Sequence, residues 1–207
     1  MTGFFAGASG QVHYRHWSCP DPVAGLVFLH GMGQHAGHYH RFARALGAGG
    51  IEMWALDHVG HGLSEGGPGD PGPVADLAAN ALQLAAIAES ERPGLPLAIM
   101  GHSLGAATTI AALAMQPDRF AAVVLCGLPR AAAANPGAVE GVRAPILVVH
   151  GVDDRLAPID GARSWTAGVP AADLREYEDA GHDLLHEPVH RRVTSDVAAF
   201  ILGSVRP

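Results

Sequence analysis

The sequence predicts an α/β protein, with a mostly parallel central sheet and helices on both faces. Short, fully apolar segments of strand length alternate along the chain with longer segments of helical spacing. Strands that are apolar on both sides are typical of parallel sheets, because helices cover both faces of such a sheet. Polar residues directly follow several of these segments, and parallel sheets bind ligands beyond the carboxyl ends of their strands. We therefore expect a functional site at that edge.

Each element follows from its local pattern. Residues 11–17 alternate in polarity and predict an edge strand, and residues 174–177 predict a weaker strand late in the chain. Central strands are expected over residues 26–29, 51–56, 97–100, 122–126 and 146–149. Apolar residues at helical spacing predict helices over residues 39–46, 73–92, 104–115 and 189–202. Residues 65–73 and 131–134 are predicted to be loops.

The composition is that of a folded globular protein and excludes several functional classes. Hydrophobic residues make up 48% of the 207 residues and charged residues 16%, whereas disordered chains are poor in apolar residues. A net charge of −7 leaves no basic surface for nucleic acid or for a membrane patch. No segment has the pattern of a membrane span or a signal peptide, and two cysteines are too few for a disulfide framework. We expect one cytoplasmic domain over residues 1–207.

A candidate nucleophile lies between a predicted strand and a predicted helix. Residues 101–105, Gly-His-Ser-Leu-Gly, have the pattern G-x-S-x-G. In this context the glycines leave room for a sharp turn that holds the serine in a strained conformation above the sheet. The following helix N-terminus offers N–H groups to an oxyanion. The alternative is a glycine-rich turn with a capping serine, but the flanking elements favour Ser103 as the nucleophile.

A nucleophilic serine needs a histidine base, and that base needs an acid to orient it. Three histidines lie late enough in the chain for the order Ser, acid, His that accompanies this motif: His182, His186 and His190. His182 follows Gly181 just after the last predicted strand, so it can lie on a loop above the sheet. His186 lies at the start of the last helical segment and His190 inside it, and we therefore predict His182 as the base.

Two adjacent aspartates follow the predicted strand 146–149, and either could orient the base. They are Asp153 and Asp154, and the one that does not serve could cap the following turn. The preceding strand runs into Leu125-Cys126-Gly127-Leu128, which contains no acid. We therefore expect one of these two aspartates to be the acid that orients the base.

Donors for an oxyanion are expected from two backbone positions. The sequence His30-Gly31-Met32-Gly33 follows a predicted strand, and its glycines let the loop turn its N–H groups inward. An oxyanion hole uses one donor from such a loop and one from the residue after the serine. We predict the N–H groups of Met32 and Leu104, with an ordinary glycine-rich turn as the alternative.

Together these residues resemble the monoacylglycerol lipase and lysophospholipase branch of the α/β-hydrolases. The similarity runs from about residue 4 to residue 200 and is carried by four segments: HGMGQHAGHYHRFARALGAGGIEMWALDHVGHGLSEG, GHSLGA, APILVVHGVDD and GHDLLHEP. The resemblance implies the α/β-hydrolase fold and a triad of Ser103, His182 and Asp154, since the acid of that branch is the last residue of HGxxD. It also implies no cofactor, and no metal at the histidines at positions 35, 38, 40, 58 and 61.

The sequence departs from this branch in one large way. Relatives carry a cap of several helices between the strands at 122–126 and 146–149, where this chain has only a short linker, residues 129–143. Leu104 and Ala106 also stand where the branch commonly has Met and Gly. Because the cap shapes the acyl-chain tunnel, its absence predicts a lidless site.

The expected function is hydrolysis of small-molecule carboxylic esters through an acyl-enzyme, with no nucleic-acid partner and no stable membrane insertion. The same triad could instead serve thioester hydrolysis, perhydrolysis or carbon–carbon bond hydrolysis, because function depends on the pocket. A non-catalytic ligand-binding member of the fold is a further alternative. A homodimer could cover the open site.

Overall fold

The computed structural model describes residues 1–205, which form an eight-stranded sheet with helices on both faces. The strands are β1 (Thr2–Gly7), β2 (Gly10–Trp17), β3 (Ala24–Leu29), β4 (Ile51–Leu56), β5 (Leu97–His102), β6 (Ala122–Cys126), β7 (Ile146–Gly151) and β8 (Ala172–Tyr177). The helices are α1 (His40–Gly47), α2 (Val74–Glu91), α3 (Leu104–Met115), α4 (Arg130–Ala133), α5 (Ile159–Ala167) and α6 (His190–Val205). The predicted α/β class is confirmed.

The strand order is β1-β2-β4-β3-β5-β6-β7-β8, with β1 and β2 antiparallel to their neighbours and all other pairs parallel. Residues 11–17 were predicted to form an edge strand, but β1 pairs along the outer side of β2 and is itself the edge. Because β3 to β8 run in parallel, their carboxyl ends meet at one edge of the sheet.

Two apolar cores, one on each face, hold the helices to the sheet. One core contains α1 and α6, through residues such as Phe42 and Val197. The other contains α2, α3 and α5, through residues such as Leu84, Ile110 and Trp165. Every residue of β3 to β7 is buried, which explains their continuous apolar sequences.

The connection between β6 and β7 is short and lies to one side of the sheet. It contains α4 and a 3₁₀ turn at Pro136–Val139, so residues 131–134, predicted to be a loop, are largely helical. Alanine has the highest helix propensity, which accounts for this difference. Both segments pack against α3, and α4 also packs against α5. Within residues 1–205, no layer of several helices covers the carboxyl edge between β6 and β7. No helix of the described residues has the length and apolar character needed to cross a membrane.

Three buried histidines lie beneath the loops that follow β3 and β4: His30, His58 and His61. The His30 ring donates from Nδ1 to the Gly31 carbonyl at 2.7 Å and accepts at Nε2 from the His58 N–H at 2.8 Å. Burial lowers the pKa of His30 to about 4 and holds the pKa of His58 well below its usual range. The rings of His30 and His58 are therefore neutral in the folded protein at neutral pH.

We expect the free energy of unfolding to fall as the pH drops from about 6.5 to 4. The unfolded chain protonates its histidines near pH 6.5, whereas folded His30 does so only near pH 4, so acid favours the unfolded state. By pH 5 this difference costs about 2 kcal/mol for His30. Guanidinium unfolding at pH 7.5 and pH 5 measures it.

The control for this measurement is His40→Gln, which changes an exposed histidine at the start of α1. It should keep the full pH dependence, whereas His30→Gln should reduce it. An unfolding free energy equal at the two pH values would contradict the neutral, buried state of His30.

Candidate active site

The predicted nucleophile lies on a strained turn between β5 and α3. Ser103 has φ 52° and ψ −112°, a backbone conformation that L-residues rarely adopt. A Cβ atom on Gly101 would clash with the carbonyl of Gly105, and a Cβ atom on Gly105 would clash with the carbonyl of Leu29. The Ser103 N–H donates to the Cys126 carbonyl at 2.9 Å. The turn is therefore held tightly between neighbouring strands, with Ser103 at the carboxyl edge of the sheet.

Asp154 is buried at the end of β7 and contacts the predicted base. Its Oδ2 atom lies 2.6 Å from His182 Nδ1. Its Oδ1 atom accepts the N–H groups of Leu156 and Ala157 at 2.9 and 2.8 Å, so one aspartate both meets the histidine and caps the turn. Asp153 is exposed. The structure thus distinguishes Asp154, which contacts His182, from the exposed Asp153, a choice that their positions in the sequence left open.

His150 contacts both Asp154 and the turn that follows it. Its Nε2 atom donates to the Ala157 carbonyl at 2.7 Å and lies 3.3 Å from Asp154 Oδ2, while its Nδ1 atom accepts from the Leu128 N–H at 3.2 Å. Burial alone would raise the pKa of Asp154, but hydrogen bonds from His150, His182 and Ala157 outweigh burial and hold that pKa far below its usual range. Asp154 is therefore charged at any pH at which the protein works.

His182 reaches Asp154 from the loop that follows β8. The exposed fraction of its side chain is 15%, so one side of the ring remains open to solvent. Gly127, with φ 57°, leaves the space that this ring occupies, because a Cβ atom there would lie 3.2 Å from His182 Cε1. The two alternative histidines make other contacts. His186 Nε2 lies 3.3 Å from the His38 carbonyl, and His190 Nδ1 lies 2.9 Å from the Glu187 carbonyl.

Two backbone N–H groups at the carboxyl edge have no acceptor within residues 1–205. The Leu104 N–H belongs to the first turn of α3, where helices leave their N–H groups unpaired. The Met32 N–H is also unpaired, whereas the adjacent Gly31 N–H donates to Gln34 Oε1 at 2.9 Å. These two groups are available to an oxygen that gains negative charge.

Other residues hold the loops that carry this site. Asp57 accepts from the N–H groups of Ala36 and Leu63 at 2.7 and 2.9 Å, which ties the loops after β3 and β4 together. Glu187 accepts from the N–H groups of Gly181 and Asp183 at 2.6 and 2.8 Å, which shapes the loop around His182. His150 and Glu187 were not among the residues predicted from the sequence, although both lie within the segments that carry the resemblance.

The histidines at positions 35, 38, 40 and 61 make local contacts, whereas neither ring nitrogen of buried His58 has a hydrogen-bond partner within residues 1–205. His35 Nδ1 accepts from the Gly37 N–H at 3.2 Å, and His61 Nδ1 lies 3.0 Å from the Val59 carbonyl. Across the described residues, no group of three or more His, Cys, Asp or Glu side chains is arranged to hold a metal ion.

Comparison with known proteins identifies relatives at both the sequence and the structural level. Residues 20–136 match the family model described as serine aminopeptidase, S33. A monoacylglycerol lipase from Mycolicibacterium smegmatis is 28% identical, covering 96% of each chain in an alignment of 268 columns. Human monoglyceride lipase is 37% identical over 120 residues, which are 57% of this chain but 40% of that protein.

Solved structures give the same fold. A highly thermostable carboxyl esterase from Bacillus coagulans superposes with a TM-score of 0.85 at 15% identity, covering 100% of this chain and 99% of that one. Since the family model matches more than half of the 207 residues, this α/β-hydrolase chain belongs to the serine aminopeptidase S33 family.

Proposed function

We propose that this chain is a serine hydrolase that cleaves carboxylic esters through an acyl-enzyme, with Ser103 as nucleophile, His182 as base and Asp154 as acid. The observation that carries the proposal is the 2.6 Å contact between Asp154 and His182 at the sheet edge that also presents the strained Ser103 turn. The names of the relatives, a monoacylglycerol lipase and a carboxyl esterase, support ester substrates.

The reaction proceeds in two steps of acyl transfer. His182 Nε2 takes the Ser103 proton as the serine oxygen attacks the ester carbonyl, while Nδ1–H stays hydrogen-bonded to the charged Asp154. The N–H groups of Met32 and Leu104 bind the oxygen that becomes negative. His182 then gives the proton to the leaving alcohol. In the second step it activates water, which releases the acid and restores Ser103.

The surroundings of the site favour small or bulky soluble esters over long lipids. Two exposed apolar side chains neighbour the site in sequence, Met32 beside a proposed oxyanion donor and Leu156 beside Asp154, with exposed fractions of 53% and 72%. The linker between β6 and β7 packs beside α3 and adds no wall above the site. These two side chains can contact the first carbons of an acyl chain, and within residues 1–205 no layer of helices follows above them to bury the rest.

We also propose that residues 1–207 work as one cytoplasmic domain without a cofactor. Both cysteines, Cys19 and Cys126, are free thiols, as is usual for proteins of reducing compartments. A homodimer that covers the open site is the arrangement that would change the substrate range, because a second subunit could supply the missing apolar walls.

Replacing Ser103 by alanine tests the proposal as a whole. Ser103→Ala should lower kcat for p-nitrophenyl esters on the order of 10⁴-fold or more, because no other group can form the acyl-enzyme. The variant should also lose labelling by a fluorophosphonate probe and keep its circular dichroism spectrum. Ser195→Ala, at an exposed serine of α6, should leave all three measurements unchanged. Retention of more than about a tenth of the wild-type rate in Ser103→Ala would falsify the assignment.

The two adjacent aspartates should differ sharply in their effect on activity. Asp154→Asn places an amide against His182 Nδ1, which favours the wrong imidazole tautomer, so kcat should fall on the order of 10⁴-fold. Asp153→Asn is the matched control, since this exposed carboxylate lies one residue away, and it should stay within about twofold of wild type. Steady-state kinetics at pH 7 compares them. Equal losses would show that Asp154 is not the acid.

The missing cap predicts how the rate depends on acyl length. Each buried CH₂ group contributes about 0.8 kcal/mol to binding, but only where apolar walls receive it. We expect kcat/KM to level off after a few carbons in a series from about two to sixteen carbons, with no jump above the critical micelle concentration. A steady rise of kcat/KM up to the longest acyl chain would instead indicate a tunnel. Gel filtration would then test whether a second subunit forms that tunnel.

A further inference from the structure

One buried side chain joins the backbone of the nucleophile to the backbone of the base. His102 directly precedes Ser103, and 4% of its side chain is exposed. Its Nε2 atom lies 2.9 Å from the carbonyl oxygen of His182. The rings of His102 and His182 lie close to each other, with centroids 5.1 Å apart. The residue before the nucleophile thus touches the main chain of the residue that must take the nucleophile's proton.

The protonation state of His102 follows from its surroundings. Burial lowers its pKa to about 4, although the contact with the His182 carbonyl acts in the opposite direction, so the ring is neutral at neutral pH. A neutral imidazole has one N–H, and a carbonyl oxygen can only accept. The proton must therefore be on Nε2, which donates to His182. Asp183 Oδ1, 3.6 Å from the same nitrogen, also favours this tautomer.

The other side of the His102 ring faces a fixed polar cluster. In this tautomer Nδ1 can only accept, so its 3.1 Å approach to the acceptor Gln34 Oε1 is not a hydrogen bond. The Tyr39 hydroxyl lies 2.5 Å from Gln34 Oε1 and 3.4 Å from Nδ1, and it supplies one hydrogen to these two acceptors. Gln34 Nε2 donates to Asp183 Oδ1 at 2.8 Å. Together with the Gly31 N–H, which also donates to Gln34, these contacts join the loops that carry Met32, Ser103 and His182. The His102 ring is thus enclosed on this side by the cluster and oriented by its hydrogen bond to the His182 carbonyl.

We propose that His102 is a positioning residue, whose Nε2–H holds the His182 carbonyl and so sets the distance between the His182 ring and the Ser103 hydroxyl. The inference rests on the proposed function. The contact with Asp154 fixes the ring at Nδ1, and Glu187 holds the N–H groups of the residues on either side of His182. The hydrogen bond from His102 holds the main chain of His182 itself, and it comes from the segment that carries the nucleophile.

Two substitutions separate the hydrogen bond from the space that the ring fills. His102→Phe keeps a flat ring of similar size without a donor, whereas the amide nitrogen of His102→Gln can occupy the position of Nε2. For a p-nitrophenyl ester we expect His102→Phe to lower kcat/KM on the order of 10²-fold, mainly through kcat, because small misplacements of reacting groups cost about that much. His102→Gln should stay within about tenfold of wild type.

Two further readouts distinguish positioning from general stability. A positioning role predicts that kcat falls while KM stays near its wild-type value in His102→Phe, and that kcat recovers in His102→Gln. In the ¹H–¹⁵N spectrum of histidine-labelled protein, the low-field Nδ1–H resonance of His182 should broaden or vanish in His102→Phe alone. Exposed His40, at the start of α1, provides the matched control His40→Phe, which should change neither readout.

The inference and the proposed function fail in different ways. A wild-type protein without esterase activity or Ser103 labelling would overturn the proposed function, and the His182 resonance would still test the positioning. Wild-type kinetics and an unchanged resonance in His102→Phe would overturn the inference, as would equal losses in the Phe and Gln variants. Should His102→Phe fail to fold, His102→Asn removes the same donor with a polar side chain too short to reach His182, and the same outcomes apply.

Discussion

The site depends on how closely helix α3 approaches strand β3. At Gly105 the first turn of the helix contacts the carbonyl of Leu29 so tightly that no side chain fits between them, and Gly101 meets the same turn from the strand before it. This contact forces the sharp turn at Ser103 and its positive φ. It also brings the unpaired N–H groups of the helix over the sheet edge, beside the loop that follows β3. The strain at Ser103 persists because the packing around it leaves the backbone no alternative.

The parts of the fold that the sequence predicts well are those whose residues are mostly buried. Residues 51–56, 104–115 and 122–126 match β4, α3 and β6 residue for residue. Both strands are buried throughout and α3 is exposed only at its last two residues, so a mostly apolar sequence marks each element. β1 was missed because two glycines and an alanine dilute its pattern, and only pairing with β2 stabilises it. α5 was missed because it is short, contains Gly161 and buries only three residues.

The candidate site likewise contains residues that the local sequence predicts and contacts that it does not. Motifs and chain order predict Ser103, His182 and the aspartate pair, because these residues depend on the local turn and on the strand that precedes them. They cannot tell Asp153 from Asp154 without the family resemblance, since the difference lies in burial and in the contact with His182. The supporting contacts of His150, Gln34 and His102 join segments far apart in the chain. No local pattern encodes them, so only the folded structure reveals them.

The short linker between β6 and β7 has a consequence for the timing of turnover. In enzymes whose active sites close behind a lid, opening of the lid and release of product often limit the rate. Here α4 packs against α3 and α5 at the side of the sheet, and within residues 1–205 nothing in this connection has to move before an alcohol or an acid can leave. For the proposed reaction, we therefore expect turnover to be limited by a chemical step, either formation or hydrolysis of the acyl-enzyme. A burst of alcohol before the steady state marks slow hydrolysis, and its absence marks slow acylation.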